Sequence, residues 1–422
     1  ANELLGMVRP GQDTIMGWFA QMSVVSAVNV FQHWGVFDLI PSQPGVGISF
    51  WKLAEKVGVE EGLLIRMSWM LTSSSVLWYF PPSTAGSHKG SLAHTPTSLL
   101  LRSQSPLSSM FKLLHTNIVE TSAIMPSYFD TYGRKEPVGP GHIPTSYLAG
   151  QPELAYFDLL NQDPQRVKEF THAMSIQHRR SPITGMFDLT SVIALAEQME
   201  QSRKPQAEER PIWVDIGGSD GAVVKTFREK YPGLKPEWCV VQDLPQVVEA
   251  AREAAKDDAL LKGVRFYPLD FHNEAPVEGA LVYYLRNVVR DYSDPVVINI
   301  LANIRKSMVP PSSSTDSGPG TAQAASRILI SEQLIPSPPP LYAAFKDYAM
   351  LVVGGKERSL KQFEAVAEAA GLVITGVYRD NGTPHAVIEM QFDETASLVV
   401  GSSSFCLKCG GVVQRHDAQM DL

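Results

Sequence analysis

Two carboxylates and a cluster of glycines occupy positions where they can hold a nucleotide-type cofactor. The stretch Trp213–Gly221, WVDIGGSDG, is typical of a buried strand that runs into a glycine turn and then a helix. Gly217, Gly218 and Gly221 allow the backbone to come close to a ligand, where a Cβ atom would clash. A helix that begins directly after such a turn points its backbone N–H groups at the ligand. The stretch therefore predicts a cofactor-binding turn.

A second predicted strand brings another carboxylate to that turn. Residues 238–242 are apolar and are followed by Asp243, 28 residues after Asp215. A carboxylate at the tip of the neighbouring strand can grip a ribose diol. Glycine turns also occur in tight strand-to-helix connections that bind nothing, and Asp243 favours the cofactor interpretation over that one.

The segment that carries these residues alternates strands with helices. Such alternation predicts a doubly wound, Rossmann-like α/β domain with a parallel sheet. Asp380–Gly382 is a hairpin signal between the last two strands, and residues 310–325, rich in Ser, Gly and Pro, predict a disordered surface loop. The predicted strands are 212–216, 238–242, 264–267, 280–284, 327–332, 372–378 and 384–391, and the predicted helices are 222–230, 245–256, 294–308 and 359–370.

Composition limits the partners and the compartment. The 422 residues suggest two or three domains. No run approaches the roughly 18 apolar residues of a membrane helix, so we expect no membrane partner. The net charge of −8 argues against nucleic acid. Three cysteines (Cys239, Cys406 and Cys409) indicate a reducing compartment, and we expect a cytoplasmic protein. Cys406 and Cys409 form one lone CxxC pair in the tail, too few ligands for zinc, and we expect no metal.

The N-terminal part predicts a dimerising module. Residues 12–40 read as a helix that is apolar on more than one face, which buries against a second subunit or forms an ordinary core helix. Residues 49–100 resemble a winged helix, with helices at Phe50–Val57 and Glu60–Thr72 before two wing strands, Val76–Phe80 and Leu92–Thr95. Residues 1–110 hold six Lys or Arg against six Asp or Glu, whereas phosphate binding needs a basic face. We therefore expect a structural or dimerising role.

Two helical features between residues 105 and 190 are candidate functional groups. His115 stands among apolar residues of the predicted helix Phe111–Ile124. A histidine there is often a satisfied core residue. Arg179 and Arg180 lie in the helical stretch Leu159–Leu189, where an arginine pair often forms a solvated face.

The motif series resembles the plant and fungal small-molecule O-methyltransferases that use S-adenosylmethionine. It consists of Trp213–Gly221, Val241–Pro245, Leu269–Phe271, Tyr284–Arg286 and Gly354–Arg358, in that order. The resemblance covers roughly residues 12–392. It implies a homodimer with interlocked N-terminal helices and a cofactor pocket at the carboxyl ends of the strands.

The resemblance also implies which residues hold S-adenosylmethionine. The glycine turn approaches the methionine part, Asp243 the ribose, and Asp270 and Phe271 the adenine. The family usually has a third glycine at Ser219, and we expect the small serine to preserve the site. The implied cofactor residues are Asp215, Gly217, Gly218, Gly221, Asp243, Leu244, Asp270, Phe271 and Arg286, and further pocket candidates are Glu332, Glu357, Lys346 and Met350.

The sequence predicts that the chain has four parts. They are a helical, winged-helix-like dimerisation domain (1–110), a helical connecting region that contributes to the substrate pocket (111–210), the Rossmann-like S-adenosylmethionine-binding domain (211–393) and a flexible tail (394–422).

The largest departure from the family pattern is Arg290. The O-methyltransferases have a histidine there, which acts as the general base on the acceptor hydroxyl. A base must lose its charge near the working pH, and a guanidinium stays protonated. The supporting acids Glu332 and Glu357 are retained. The chain therefore resembles a methyltransferase whose base has become a permanent cation.

Arg290 followed by Asp291 is similar to a subgroup, the fungal methyltransferase-like pericyclases of 2-pyridone alkaloid pathways. The subgroup implies dehydration of a pyridone alcohol to a quinone methide and control of its cyclisation, with S-adenosylmethionine bound but not consumed. By order and spacing, His115, Arg179, Arg290 and Asp291 match the pocket residues, with Arg179 preferred over Arg180. Preorganised donors aimed at the pyridone oxygen stabilise the charge that develops there.

The sequence thus predicts a pericyclase acting on a small, polyketide-type substrate. A hetero-Diels–Alder outcome is favoured over an Alder-ene one because of Arg290. The alternatives are an S-adenosylmethionine-dependent O-methyltransferase of a polyketide or phenolic metabolite that uses another base, and a non-catalytic binding or scaffold protein. In a rewired site Arg290 simply pairs with Glu332 or Glu357.

Overall fold

The computed structural model describes residues 10–82, 90–180, 182–202, 210–311, 324–380 and 382–393. Contacts divide the chain into two compact units. Unit 1 comprises Ala1–Met125 and Phe157–Arg180, and unit 2 comprises Pro126–Tyr156 and Ser181–Leu422. The predicted four-part division stays a prediction. The tail from residue 394, with Cys406 and Cys409, lies outside the described residues, as does most of the predicted loop 310–325.

The described chain up to residue 202 is mainly helical. Its helices and strands are α1 (Gly11–His33), α2 (Val36–Leu39), β1 (Gly47–Ser49), α3 (Phe50–Val57), α4 (Glu61–Ser73), β2 (Leu77–Phe80), β3 (Ser91–His94), α5 (Pro96–Leu99), α6 (Pro106–Leu114), a π-helix (His115–Glu120), α7 (Thr121–Tyr132), α8 (Pro144–Leu148), α9 (Tyr156–Asn161), α10 (Pro164–Arg180) and α11 (Thr190–Ser202).

The predicted helix 12–40 is two helices. The chain turns at Gly35, whose φ of +69° is a left-handed conformation that glycine adopts without a steric penalty. Burial is confined to the second half of α1, at Ala27, Val28 and Phe31. The first half is therefore not an ordinary core helix, and its burial against a second subunit stays a prediction. By length and composition α1 also reaches what a membrane-crossing helix needs, contrary to our expectation; core helices and signal sequences pass the same test.

The winged-helix module was predicted with one omission. Helices α3 and α4 and strands β2 and β3 lie within one residue of their predicted positions. The omitted strand is β1, and the antiparallel sheet has the order β1-β3-β2. A strand of three residues is too short to show an alternating pattern.

From residue 210 the described chain is an α/β unit. Its elements are β4 (Trp213–Ile216), α12 (Ala222–Lys230), a 3₁₀ turn (Pro236–Trp238), β5 (Cys239–Asp243), α13 (Pro245–Ala255), β6 (Arg265–Pro268), β7 (Val282–Arg286), a 3₁₀ turn (Val289–Asp291), α14 (Asp294–Ser307), β8 (Arg327–Gln333), α15 (Leu341–Leu351), α16 (Leu360–Ala369), β9 (Leu372–Arg379) and β10 (His385–Phe392).

These strands form one seven-stranded sheet of order β6-β5-β4-β7-β8-β10-β9. The sheet is mixed, because β10 runs antiparallel to both β8 and β9. The predicted parallel pairing is confirmed among β4 to β8, and the predicted hairpin forms between β9 and β10. The antiparallel pairing of β10 with β8 was not predicted. Helix α15 was missed, since the proline-rich stretch before it indicates a loop.

The central strands are buried on both faces. Trp213 packs in one hydrophobic cluster with residues of α11, α12 and α13. Val214 packs in the other, with residues of α14 and α16. Strands covered on both sides read as continuous apolar runs, and this is why the sequence located them well.

Candidate functional site

The sheet of unit 2 reverses its winding direction at β4. Strand β4 pairs with β5 on one side and with β7 on the other, both in parallel. Ligands of open α/β sheets bind at the carboxyl ends of the strands beside such a switch point. The residues predicted for the cofactor follow the ends of these strands.

The glycine turn after β4 leaves no room for side chains. A Cβ on Gly217, whose φ is +68°, would lie 2.8 Å from Cγ2 of Val288. A Cβ on Gly218 would lie 2.7 Å from Oδ2 of Asp215. Gly221, with a φ of +80°, is the N-cap of α12. The fold itself therefore favours glycine at these three positions, and the predicted close approach of a ligand stays a prediction.

Asp243 is joined to the turn by backbone hydrogen bonds. Its Oδ2 accepts from the N–H of Ser219 at 2.9 Å, and its Oδ1 accepts from the N–H of Leu244 at 2.8 Å. Burial raises the pKa of Asp243, and these two N–H donors act in the opposite direction. Each carboxylate oxygen keeps a second acceptor site, so Asp243 can still receive a diol.

Asp215 is the most unusual group of this edge. Its side chain is 1% exposed, and Oδ2 has no hydrogen-bond partner among the described residues. Burial raises the pKa of Asp215 to about 8, the charge of Asp243 adds to the shift, and Arg286 opposes it. An unpaired buried carboxylate is costly, and a cationic ligand group would relieve that cost.

The two residues predicted for adenine lie in the loop after β6, and their contacts differ. Both oxygens of Asp270 accept hydrogen bonds from its own loop, from the N–H of His272 and the amide of Asn273. Phe271 contacts the rings of His272 at 4.7 Å and Tyr292 at 5.9 Å. The aromatic group can offer an apolar face to a base, whereas Asp270 chiefly holds the loop.

Together these residues fit S-adenosylmethionine. The glycine turn lies beside Asp243, Asp243 retains acceptor sites for the ribose, and Oδ2 of Asp215, which has no hydrogen-bond partner among the described residues, is available to a cationic group. Within the described residues no group of histidines, cysteines or acids could hold a metal ion.

Arg290 lies in the 3₁₀ turn that follows β7. Its Nη1 is 3.3 Å from Oε1 of Glu357 and its Nε is 3.8 Å from Oδ1 of Asp291. The Arg290 backbone N–H donates to Oε1 of Glu332 at 3.4 Å. Burial works against its charge, but Glu357, Asp291 and Glu332 outweigh it and raise the pKa of Arg290. The guanidinium is a permanent donor with 12% of the side chain exposed.

The carboxyl groups around Arg290 hold protons unusually well. Burial raises the pKa of Glu332 to about 8 and that of Asp291 to about 6, although Arg290 opposes both shifts. Burial also raises the pKa of Glu357, against the charges of Arg290 and Lys346. Oε2 of Glu332 has no hydrogen-bond partner among the described residues. The cluster can therefore accept a proton near neutral pH without losing its cation.

Lys346 extends this cluster from α15. Its ammonium donates to Oε1 of Gln333, and burial lowers the pKa of Lys346, with Glu357 opposing. His385, opposite Gln333 in the sheet, has a pKa lowered to about 4 by burial and by the nearby cations. Met350 contributes its carbonyl, which accepts from the N–H of Gly355.

Sequence reasoning missed Gln333 and His385. The register of β10 against β8 places His385 opposite Gln333, which follows Glu332 in β8, and the sequence alone does not show this pairing.

Two predicted residues belong to unit 1. His115 opens the π-helix, and its Nδ1 is 3.3 Å from Oε1 of Glu120. A π-helix has a wider turn than an α-helix, which suits this five-residue spacing. Arg179 lies at the end of α10, and its side chain is outside the described part of the chain. The structure groups Arg290, Asp291, Glu332, Glu357 and Lys346 in unit 2.

Comparison with known proteins identifies the family. A model described as an O-methyltransferase domain matches residues 208–373. Methyltransferase pynC of Aspergillus niger is 31% identical over 91% of this chain and 98% of its own length. Methyltransferase pvhD of Talaromyces variabilis is 32% identical over 89% and 95%. The chain belongs to the fungal O-methyltransferase family.

Solved structures support the fold. OxaC in complex with sinefungin and meleagrin has a TM-score of 0.75 at 22% identity, over 93% of this chain and 91% of that one. LepI in complex with S-adenosylmethionine has a TM-score of 0.69 at 22% identity, over 93% and 92%. At this identity the likeness defines the fold alone. The α/β O-methyltransferase architecture, with a helical N-terminal region, agrees with the predicted fold class.

Proposed function

We propose that the protein is an S-adenosylmethionine-dependent methyltransferase of a phenolic or polyketide-type metabolite in fungal secondary metabolism. One observation carries the proposal. Relatives about 30% identical over nine-tenths of both chains are named methyltransferases, and the cofactor edge around Asp215 and Asp243 is intact here. The pericyclase preferred from the sequence becomes the second candidate.

Arg290 binds the acceptor oxygen in this proposal. Its fixed charge stabilises the acceptor in its anionic form, which is the nucleophile for methyl transfer, and S-adenosylmethionine supplies the electrophilic methyl group. Since a guanidinium cannot take the acceptor's proton, the acceptor must be an acidic phenol or enol. Asp291, whose pKa is raised to about 6, is mostly ionised at neutral pH and can receive a proton, whereas Glu332, whose pKa is raised to about 8, becomes an acceptor only as the pH rises towards that value.

The cofactor residues follow from the same edge. The backbone of the glycine turn at Gly217, Gly218 and Gly221 lies beside the methionine part in this proposal, and Asp243 holds the ribose. Asp215, with its unpartnered Oδ2, faces a positive group of the cofactor. Phe271 covers the adenine.

The second candidate is a pericyclase without methyl transfer. The observation that favours it is the Arg290–Asp291 pair, in which a guanidinium that cannot lose its proton lies beside a carboxylate. The structures of LepI and of a protein described as a pericyclic reaction enzyme share the fold at 22% identity. In this candidate Arg290 and Asp291 act on a 2-pyridone alcohol, with a hetero-Diels–Alder outcome favoured, and the roles matched to His115 and Arg179 stay predictions.

One assay separates the two candidates. The purified protein is incubated with labelled S-adenosylmethionine and a panel of phenols, enolised 1,3-diketones and a 2-pyridone alcohol. We expect labelled product in step with S-adenosylhomocysteine for an acidic phenol or enol. Conversion of the pyridone alcohol with no cofactor turnover would instead support the pericyclase, and no conversion of any compound would leave a binding protein.

A further inference from the structure

The turn that carries Arg290 is gripped by the segment Gly354–Arg358. A Cβ on Gly355 would collide with the carbonyl oxygen of Arg290. The backbone N–H of Lys356 donates to that same oxygen at 2.7 Å. Glycine is thus required at position 355 because backbone meets backbone there.

Arg358 forms the strongest link in this arrangement. The residue is 1% exposed. Its Nη1 donates to the carbonyl of Val289 at 2.9 Å, and its Nη2 donates to the carbonyl of Tyr292 at 2.7 Å. Its Nε donates to Oδ1 of Asp294 at 2.9 Å. One guanidinium therefore ties down the backbone on both sides of Arg290.

Arg290 itself is held less tightly by its own ion pairs. Its distances of 3.3 Å to Glu357 and 3.8 Å to Asp291 exceed the 2.7–2.9 Å typical of charge-assisted hydrogen bonds. The position of the Arg290 guanidinium is therefore set mainly by the backbone turn that carries it, and Arg358 holds that turn in place.

The charge of Arg358 is balanced locally. Asp294 also accepts from Nζ of Lys356 at 3.1 Å, and that ammonium reaches Glu136 at 3.0 Å. Burial works against ionisation of Asp294, but Arg358 and Lys356 outweigh it and keep the pKa of Asp294 below its usual value. The buried arginine thus has a fixed counterion and fixed carbonyl acceptors.

We propose that Arg358 is a positioning residue that fixes the place of the Arg290 guanidinium, and hence the place of the acceptor oxygen. The proposal rests on the proposed methyl transfer, in which Arg290 touches the acceptor. Arg358 has no role in holding the cofactor, and its replacement should leave cofactor binding intact.

The test variant is Arg358→Lys. A lysine keeps the charge beside Asp294, but its single ammonium cannot reach both carbonyls in the forked geometry of arginine. A misplacement of about 1 Å can cost on the order of 10²-fold in rate. With the acceptor found in the panel, we expect kcat to fall about 10- to 100-fold and the affinity for S-adenosylmethionine to stay unchanged.

Arg305→Lys is the matched control. Arg305 also donates to a backbone carbonyl, that of Gly371 at 3.1 Å, and its guanidinium lies over the ring of Phe392 at 5.1 Å. It has no contact with the turn of Arg290 among the described residues. We expect its replacement to lower stability without changing kcat per cofactor-binding site.

The pH profile separates positioning from plain structural support. Arg290 lowers the pKa values of Asp291 and Glu332 by its charge. When Arg290 moves away, those values rise, and the acid limb of kcat in Arg358→Lys should move to higher pH. A purely structural role would reduce the amount of folded enzyme and leave the profile of the remainder unchanged.

Hydrogen exchange gives a readout that does not need activity. In Arg358→Lys, the amides of Asp291, Tyr292 and Lys356 should exchange faster than in the wild type, while those of β4 should not. If the wild type forms no S-adenosylhomocysteine, the proposed function fails, and this measurement alone decides whether Arg358 holds the turn.

Two results would overturn the proposal. One is Arg358→Lys with wild-type kcat, pH profile and exchange. The other is Arg305→Lys with the same changes as Arg358→Lys. Should Arg358→Lys fail to fold, Asp294→Asn removes the counterion while keeping the carbonyl bonds, and we expect the same changes at smaller size; unchanged kcat and exchange in that variant would contradict the proposal.

Discussion

At the residue scale, the candidate site combines a permanent cation, Arg290, with neighbouring acids that can gain or lose a proton. Arg290 is close to Glu357 and Asp291, and its backbone bonds to Glu332. Those acids have raised pKa values. In the proposed function, Arg290 binds an anionic acceptor, and the neighbouring carboxyl groups are the candidate proton acceptors.

We expect Asp215 to make the binding of S-adenosylmethionine depend on pH. Its pKa is raised to about 8, chiefly by burial, so the uncharged form dominates below that pH. A cationic cofactor favours the charged form, and affinity must therefore rise as pH increases towards and through about 8. We expect this rise in calorimetry with S-adenosylmethionine.

Asp215→Asn is the comparison for that measurement. It keeps the shape of the side chain and shows any titration that belongs to the cofactor itself. The variant should bind more weakly than the wild type at high pH and lose the rise. Identical pH dependence in both proteins would contradict the role given to Asp215.

The sequence predicted the candidate residues but not the protonation state in which the structure holds them. Arg290 stood out because a guanidinium replaces a titratable group in a motif, and Asp243 because it ends a strand. The raised pKa of Glu332 could not be predicted, since it results from burial beside three charged side chains that are distant in sequence. Arg358 was part of a recognised motif, yet its grip on the carbonyls of Val289 and Tyr292 depends on tertiary packing.

At the element scale, the connection from β4 to α12 carries strain at Ser219. Its φ of +51° is left-handed, which costs a residue with a Cβ roughly 1–2 kcal/mol. The conformation directs the N–H of Ser219 to Asp243. The strained backbone of Ser219 thus allows a hydrogen bond at the predicted cofactor edge.

Ser219→Gly should relieve that strain. We expect the free energy of unfolding in denaturant to rise by about 0.5–1 kcal/mol, because the relief exceeds the extra chain entropy of glycine. Affinity for S-adenosylmethionine should not fall. Ala222→Gly, in the first turn of α12, should instead destabilise by about 0.5–1 kcal/mol. A loss of stability in Ser219→Gly would show that the turn is not strained.

Elements with strong patterns were predicted well, and those set by context were not. Helix α12 was predicted at its observed bounds, because its apolar face and the glycine before it are local signals. The short strand β1 and the π-helix at His115–Glu120 were not predicted, because neither shows a local period. The break between α1 and α2 was missed although Gly35 is a local signal for it. The hairpin signal predicted the pairing of β10 with β9, but the sequence did not predict that β10 also pairs with β8.

At the scale of the whole molecule, α1 leaves apolar side chains uncovered. The second half of the helix packs in the core, while the first half does not. Soluble proteins rarely expose such a patch without a partner for it. The exposed fractions are 50% for Ile15, 60% for Met16, 64% for Trp18, 60% for Phe19 and 58% for Met22. We propose that a second copy of the chain covers this surface.

Light scattering tests the homodimer. The wild type should have twice the monomer mass at micromolar concentration, and Phe19→Glu with Met22→Glu should give monomers, because buried unpaired charges are costly. Val373→Glu, at an apolar residue of β9 that is 43% exposed, is the control and should stay dimeric. A monomeric wild type, or one that sediments with lipid vesicles through α1, would contradict the dimer.

The pH–rate profile of methyl transfer for Arg290 variants tests the central claim most directly. Arg290→Ala should lose about 10²- to 10³-fold in kcat, the usual effect of removing one donor to a developing oxyanion. Arg290→His should be slower than the wild type above neutral pH, because a neutral imidazole cannot replace the fixed charge. If Arg290→Ala keeps its rate, or Arg290→His is faster than the wild type, Arg290 does not hold the acceptor anion and the account is wrong.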